Sequence, residues 1–149
     1  MKKLKHISAL DTGGCGLSCL AMIADKEYFE LRKILHENEK KILPFLKNVK
    51  YSSKSLIQHF VEEKTYGLYP EDLRVILDKI FNIKTSYKEF RSLQKIKKHA
   101  ILCISEIDED EPNHGIVFDA IQRKILDPNF EEYRVDNKLS GHNVTNCIE

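Results

Sequence analysis

The sequence has almost no excess of either charge and no long apolar stretch. Its 24 Lys and Arg residues balance 23 Asp and Glu residues, which leaves a net charge of +1. A chain with so little net charge has no strong field to attract nucleic acid or an anionic membrane. Apolar runs such as residues 100–104 are far shorter than the roughly 20 residues that cross a bilayer. We therefore expect no nucleic-acid partner and no membrane segment.

The sequence also lacks the usual signs of a disulfide framework and of an export signal. Its four cysteines can pair in principle, but a chain of 149 residues is long enough to fold around one core without such links. Lys2, Lys3 and Lys5 form a basic start, but no apolar stretch of signal-peptide length follows them. We expect free thiols, a cytoplasmic location and a single domain, residues 1–149.

Helical patterns fill the N-terminal half of the sequence. The apolar stretch 15–24 follows a pair of glycines, which predicts a loop that enters a buried helix. A second helix is predicted from about residue 28 to residue 38, and a third, capped by serines, over residues 52–61. The clearest helix begins at Pro70, with acidic residues in its first turn and an apolar stripe at i, i+3, i+4 and i+7.

Strand patterns are concentrated in the C-terminal half. Short strands are predicted over residues 83–87 and 101–105, with a short helix over residues 90–98 between them. Residues 115–121 and 124–126, separated by two polar residues, predict a hairpin. Helices that are followed by an antiparallel sheet indicate the α+β class rather than alternating βαβ units.

Cys15 has the features that a nucleophilic cysteine requires. A thiolate is favoured in the first turn of a helix, where free N–H groups and the positive end of the helix dipole lie. Glycines at positions 13, 14 and 16 leave room for a substrate backbone, and the Cys15 N–H can help to bind an oxyanion. The alternative role for a free cysteine is that of a small buried hydrophobe, and we predict that role for Cys19.

His114 and Asp127 are the predicted base and the predicted orienting residue. His114 opens an apolar strand, and Asp127 closes the next strand of the predicted hairpin. Pairing of these strands places both residues at the same end, where the carboxylate can hold the second ring nitrogen. The alternatives are a surface histidine and a simple Asp-Pro turn, of which the turn is compatible with catalysis. We predict a Cys15–His114–Asp127 triad.

A zinc site is the competing interpretation of Cys15 and Cys19. Their i, i+4 spacing can present two ligands on one face of a helix. No second pair completes such a site in this sequence, so we expect neither a metal nor a cofactor.

The predicted first helix begins with the run GCGLSCLAMI, residues 14–23. This run resembles the nucleophile helix of the bacteriocin-processing peptidases, papain-like cysteine peptidases that cut leader peptides after a double glycine. In that family a strand-opening histidine and an Asp-Pro pair follow far downstream, as His114 and Asp127-Pro128 do here. The resemblance implies a papain-like fold, a helical half packed on an antiparallel sheet. It also implies a peptide or protein substrate, including double-glycine leaders.

Two positions depart from the pattern of that family. The family has an aspartate immediately before the cysteine and, shortly before that, a glutamine whose side chain helps to hold the oxyanion; Gly14 and Ala9 stand at these positions. The nearby polar residues that can replace the glutamine are His6, Ser8 and Thr12. The predicted function is that of a cysteine peptidase. A catalytically silent module that binds a peptide or protein partner, and a glutamine deamidase with the same triad, stay open as alternatives.

Overall fold

The computed structural model describes residues 1–10, 14–46, 70–106, 114–129, 133–134 and 142–149. The helices in this part of the chain are α1 (Cys15–Ala24), α2 (Tyr28–Glu37), α3 (Glu39–Ile42) and α4 (Pro70–Phe81), with short 3-10 turns at Leu43–Phe45 and Leu93–Lys95. The strands are β1 (Tyr87–Glu89), β2 (Ala100–Glu106), β3 (His114–Asp119), β4 (Lys124–Leu126), β5 (Tyr133–Arg134) and β6 (His142–Ile148).

These strands form one antiparallel sheet in the order β1-β6-β2-β3-β4-β5. Strand β6, the last in the chain, lies between β1 and β2. The pairing of β2 with β3 places Cys103 opposite Gly115 and Ile104 opposite His114. Helices therefore come first along the chain and an antiparallel sheet comes last, which confirms the predicted α+β class.

The two faces of the sheet belong to two separate apolar clusters. Helix α1 packs against β3, and its buried residues share a cluster with Ile101, Val117 and Leu126 of the sheet. The alternating residues of the same strands point to the opposite face, where Leu102 and Phe118 pack with the 3-10 turn Leu93–Lys95. This division follows from the period of two in a strand. Helix α1 therefore lies on the face formed by Ile101, Val117 and Leu126.

Helices α1 and α4 begin at the predicted residues, and α1 also ends at the predicted one. Helix α1 ends where Asp25 adopts a left-handed conformation, with φ of 55°, and α4 begins at Pro70 with Glu71 and Asp72 in its first turn. Helix α2 ends one residue before the predicted position. No helix in the described ranges combines the length and the apolar character needed to span a membrane.

The predictions for the sheet half are partly wrong. The strand predicted over residues 83–87 lies at Tyr87–Glu89, and the helix predicted over residues 90–98 is only the turn Leu93–Lys95. The predicted strand 115–121 runs over His114–Asp119 instead. The Asp119 carboxylate accepts the N–H groups of Ile121 and Gln122, and these bonds bend the chain at the end of the strand. Strands β5 and β6 were not predicted, and the helix predicted over residues 52–61 lies outside the described residues.

Candidate active site

Cys15 is the first residue of α1, and the turn that it opens has no competing cap. The residue before the helix, Gly14, makes no side-chain capping hydrogen bond, and the first turn contains no acidic residue. The first N–H groups of a helix have no partner within the helix, so they are free to face the sulfur. The N–H of Gly16 donates to the Cys15 thiol. Local sequence therefore places Cys15 where a negative charge is stabilised.

His114 and Asp127 are brought together by the pairing of β3 and β4. His114 is the first residue of β3, and Asp127 directly follows β4, whose Leu126 lies opposite Val117. The ring nitrogen Nε2 of His114 donates to Oδ1 of Asp127 at 2.8 Å. The same oxygen accepts the N–H of Asn129 at 2.9 Å. Because two donors hold the carboxylate, it has a defined direction in which to hold the imidazole.

The third contact joins the His114 ring to the thiol of Cys15. A side-chain hydrogen bond links the two groups. Since Nε2 is engaged by Asp127, the nitrogen that remains for the sulfur is Nδ1. The N–H of Gly115, the residue after His114, also donates to the sulfur. The structure therefore brings the three predicted site residues together as a continuous series of thiol, imidazole and carboxylate.

These contacts change the pKa values of the thiol and of the imidazole in opposite directions. Burial raises the pKa of Cys15, but the hydrogen bond and charge of His114, with the N–H groups of Gly115 and Gly16, lower it below the ordinary value of 9.0. Burial lowers the pKa of His114, but Asp127 and Cys15 raise it to about 9. Both shifts favour the charged pair, thiolate and imidazolium, more than the ordinary pKa values of the two groups would.

The pKa values of the other three cysteines are raised rather than lowered. All four thiols are free, as expected. Burial raises the pKa of Cys19 well above its ordinary value, raises that of Cys103 to about 12 together with the charge of Glu71, and raises that of Cys147. Cys19 is completely buried in the main core cluster. Cys15 is therefore the thiol that combines partial exposure with a lowered pKa.

The two cysteines of α1 face different surroundings. The Cys15 thiol faces His114, whereas the Cys19 sulfur lies under Gly115 of β3. Among the described residues, no group of three or more His, Cys, Asp or Glu side chains is arranged to hold a metal ion. The geometry of Cys15 is that of an acid–base pair with His114, rather than that of one of two ligands on a helix face.

The N-terminal segment is hydrogen-bonded to the backbone at Asp127 and Pro128, a role that the sequence did not indicate. His6 donates from Nε2 to the Asp127 carbonyl oxygen at 2.7 Å, and the Ala9 N–H donates to the carbonyl oxygen of Pro128 at 2.8 Å. Leu4 and Ile7 of the same segment are buried in the main core. Local sequence carries no signal for these contacts, because each one joins residues more than a hundred positions apart.

The residues named as replacements for the missing glutamine have separate positions. The His6 ring is bound to the backbone carbonyl oxygen of Asp127. Ser8 is exposed, and Thr12 lies outside the described residues. The backbone N–H groups that donate to the Cys15 sulfur are those of Gly16, at the start of α1, and of Gly115 in β3.

No family model matches the sequence, and no curated protein matches it either.

Proposed function

We propose that the protein is a papain-like cysteine peptidase in which Cys15 is the nucleophile, His114 the base and Asp127 the residue that orients His114. The observation that supports this proposal most directly is the series of contacts from the Cys15 sulfur through the His114 ring to Asp127 Oδ1, the last at 2.8 Å. A nucleophile, a base and a third group that fixes the base are the parts that thiol acyl transfer requires.

The first chemical step is attack by the thiolate. The Cys15 sulfur forms a bond to the carbonyl carbon of the scissile amide, and the carbonyl electron pair moves onto the oxygen. Collapse of this intermediate breaks the carbon–nitrogen bond, while the His114 imidazolium gives its proton to the leaving amine. The product of this half-reaction is a thioester on Cys15 and a free amine.

The second step returns the enzyme to its starting state. Neutral His114 takes a proton from water, whose oxygen attacks the thioester carbonyl. The carbon–sulfur bond then breaks, which releases a carboxylic acid and restores the thiolate beside the imidazolium. Asp127 keeps Nε2 engaged throughout, so that Nδ1 stays directed at the reacting atoms.

The helix start provides the first of the donors that an oxyanion requires. We assign the Cys15 N–H to this role, because it stands at the uncapped first position of α1 and N–H groups there point out of the helix. Ala9 at the family's glutamine position has no side-chain donor, and its backbone N–H is bound to Pro128. This departure is the observation that favours the second candidate function, a silent peptidase-like module that binds a peptide or protein partner in the same site.

The resemblance of residues 14–23 to the bacteriocin-processing peptidases suggests the class of substrate. We infer a peptide or protein substrate, with double-glycine leader peptides as the first to test and glutamine side chains, as in deamidation, as the second. We further propose a cytoplasmic location, where thiols such as those of Cys15 and Cys19 stay reduced.

Alkylation by iodoacetamide tests the thiolate independently of any substrate. Cys15 should be alkylated at near-neutral pH much faster than Cys147, because only the thiolate reacts and Cys15 alone has a lowered pKa. His114→Ala should slow the alkylation of Cys15 by at least about tenfold, and Cys147→Ala, the matched control, should leave it unchanged. Peptide mapping by mass spectrometry identifies the labelled residue. Equal labelling of Cys15 and Cys147 in the wild type would refute the proposed nucleophile.

Product analysis then separates the candidate functions. The protein is incubated with double-glycine peptides, with matched peptides in which the second glycine is alanine, and with glutamine-containing peptides, and the products are identified by mass. Cleavage that is lost in Cys15→Ala supports the peptidase, and a mass increase of one unit at glutamine supports the deamidase. Fast alkylation of Cys15 with no product from any peptide, but with saturable binding of one of them, would instead support the silent module.

A further inference from the structure

Helix α1 packs against strand β3, and Gly115 lies at this contact. A Cβ atom built on Gly115 would lie 3.3 Å from the Cys19 sulfur, a distance at which one of the two groups must give way. Cys19 is completely buried in the main core cluster, and side chains in a close-packed core have little room to move. An added methyl group would therefore press β3 away from α1.

The requirement for glycine at this position is one of space. The Gly115 backbone does not adopt the left-handed conformation that other residues avoid, so an alanine is compatible with its dihedral angles. Gly115 also sits inside the β2–β3 ladder, opposite Cys103. The strand can therefore accept a larger residue as far as its own backbone is concerned, and only the contact with α1 opposes it.

The same residue takes part in the chemistry of the site. Its N–H donates to the Cys15 sulfur, and its neighbour His114 makes the second contact with that sulfur. Both donors are carried by β3, whereas the sulfur is carried by α1. The separation of β3 from α1 at Gly115 therefore sets both distances at once.

We propose that Gly115 is a positioning residue of the active site, because the absence of a side chain there is what allows β3 to lie against α1 over the buried Cys19 sulfur. The absence of a side chain lets the Gly115 N–H and the His114 ring reach the Cys15 sulfur. This inference rests on the proposed function only in taking Cys15 as the nucleophile.

The test is a cycle of four proteins: the wild type, Gly115→Ala, Cys19→Ala and the double variant. The rate of Cys15 alkylation by iodoacetamide is measured against pH, and the midpoint gives the apparent pKa of the thiol. Gly115→Ala should slow alkylation at about pH 6 by about tenfold, which corresponds to one unit of pKa. Cys19→Ala should stay within about threefold of the wild type. The double variant should recover to within about threefold of Cys19→Ala, because the clashing sulfur is gone.

Two results would overturn the inference: a Gly115→Ala protein whose Cys15 profile matches that of the wild type, or a double variant no faster than Gly115→Ala. A purely structural role for Gly115 would lower the melting temperature but leave the midpoint of the profile unchanged. If Gly115→Ala does not fold, the double variant is compared with Cys19→Ala. Matching profiles support the inference, and a raised midpoint in the double variant overturns it.

The outcome is also distinguishable from failure of the proposed function. A wild type that cleaves none of the peptides, but whose alkylation profile responds to the cycle as expected, would refute the peptidase and leave the positioning role intact. A wild type that cleaves peptides while Gly115→Ala keeps the wild-type profile and rate would leave the peptidase intact and refute the positioning role.

Discussion

Cys15 and Cys19 lie one turn apart on the same helix, yet the pKa values of the two thiols are shifted in opposite directions. Burial acts on both in the same direction, since it raises the pKa of each. Cys15 differs because His114 and the N–H groups of Gly115 and Gly16 more than offset that burial. The comparison shows that position in an apolar helix does not by itself set the pKa of a thiol. The donors that the tertiary structure places around the sulfur decide the direction of the shift.

Replacement of Asp127 should have the largest effect, because it removes the group that orients the histidine beside Cys15. Asp127→Ala leaves the His114 ring free to rotate, and we expect peptide cleavage to fall by about 100-fold, within the range for loss of an acid–base group. Asp127→Asn is the matched control, because the amide oxygen can still accept from Nε2 and papain-like proteases use asparagine in this place. Its loss should be about tenfold or less. Equal rates for Asp127→Ala and the wild type would exclude the orienting role.

The pH dependence of stability should show whether Cys15 and His114 form an ion pair, because each residue contributes a slope of opposite sign. The raised pKa of His114 contributes stability that is fully present below its ordinary value of 6.5 and is lost as the pH rises through about 9. The lowered pKa of Cys15 contributes stability that is present above its ordinary value of 9.0 and is lost as the pH falls through the lowered value. Where the two windows overlap, below pH 9, the unfolded state binds more protons than the folded state at Cys15 and fewer at His114, so the two slopes oppose each other.

Removal of the Cys15 thiol should therefore reveal the contribution of His114 to the pH dependence of the free energy of unfolding. In Cys15→Ser the hydrogen bond of Asp127 still raises the pKa of His114, while no thiolate offsets it. We expect the free energy of unfolding of Cys15→Ser, relative to that of the wild type, to fall as the pH rises from about 6.5 toward 9. Urea denaturation at several pH values measures this difference. Parallel curves for the two proteins would show that Cys15 and His114 do not form an ion pair.

Loss of the hydrogen bond from His6 to the Asp127 backbone should lower peptide cleavage by a smaller factor. His6→Ala removes the donor to the Asp127 carbonyl oxygen, and a hydrogen bond of this kind contributes about 1 kcal/mol. We expect peptide cleavage to fall by about fivefold, with a change in the rate constant rather than in the Michaelis constant. Ser8→Ala, an exposed neighbour, is the control. A His6→Ala protein that cleaves at the wild-type rate would limit His6 to a structural role.

The smallest expected effect on the chemistry is that of Cys19→Ala. Removal of a fully buried sulfur costs about 1 kcal/mol, which lowers the melting temperature by about 3 °C in a chain of this size. The alkylation profile of Cys15 should barely change. A large change in that profile without loss of stability would show that Cys19 acts on Cys15 directly, and would remove the basis of the comparison between the two thiols.

Strong local signals explain why the helices were predictable. Glycines before an apolar run set the start of α1, and Pro70 with two acidic residues sets the start of α4. The sheet was harder, because short strands depend on pairing between distant segments. Strand β6 lies between β1 and β2, and nothing in residues 142–148 marks them locally as a strand. The bend at Asp119 depends likewise on hydrogen bonds that a hydropathy pattern does not contain.

Local sequence by itself determined the α+β order and the place of Cys15 at an uncapped helix start, since both depend on residues that are neighbours along the chain. It also indicated His114 and Asp127 as strand-end residues. Only the tertiary structure decided that the imidazole meets both the sulfur and the carboxylate, and that His6 holds the Asp127 loop. The physical reason is range: these hydrogen bonds act over about 3 Å between groups that the chain itself keeps far apart, and packing of α1 on β3 brings them together.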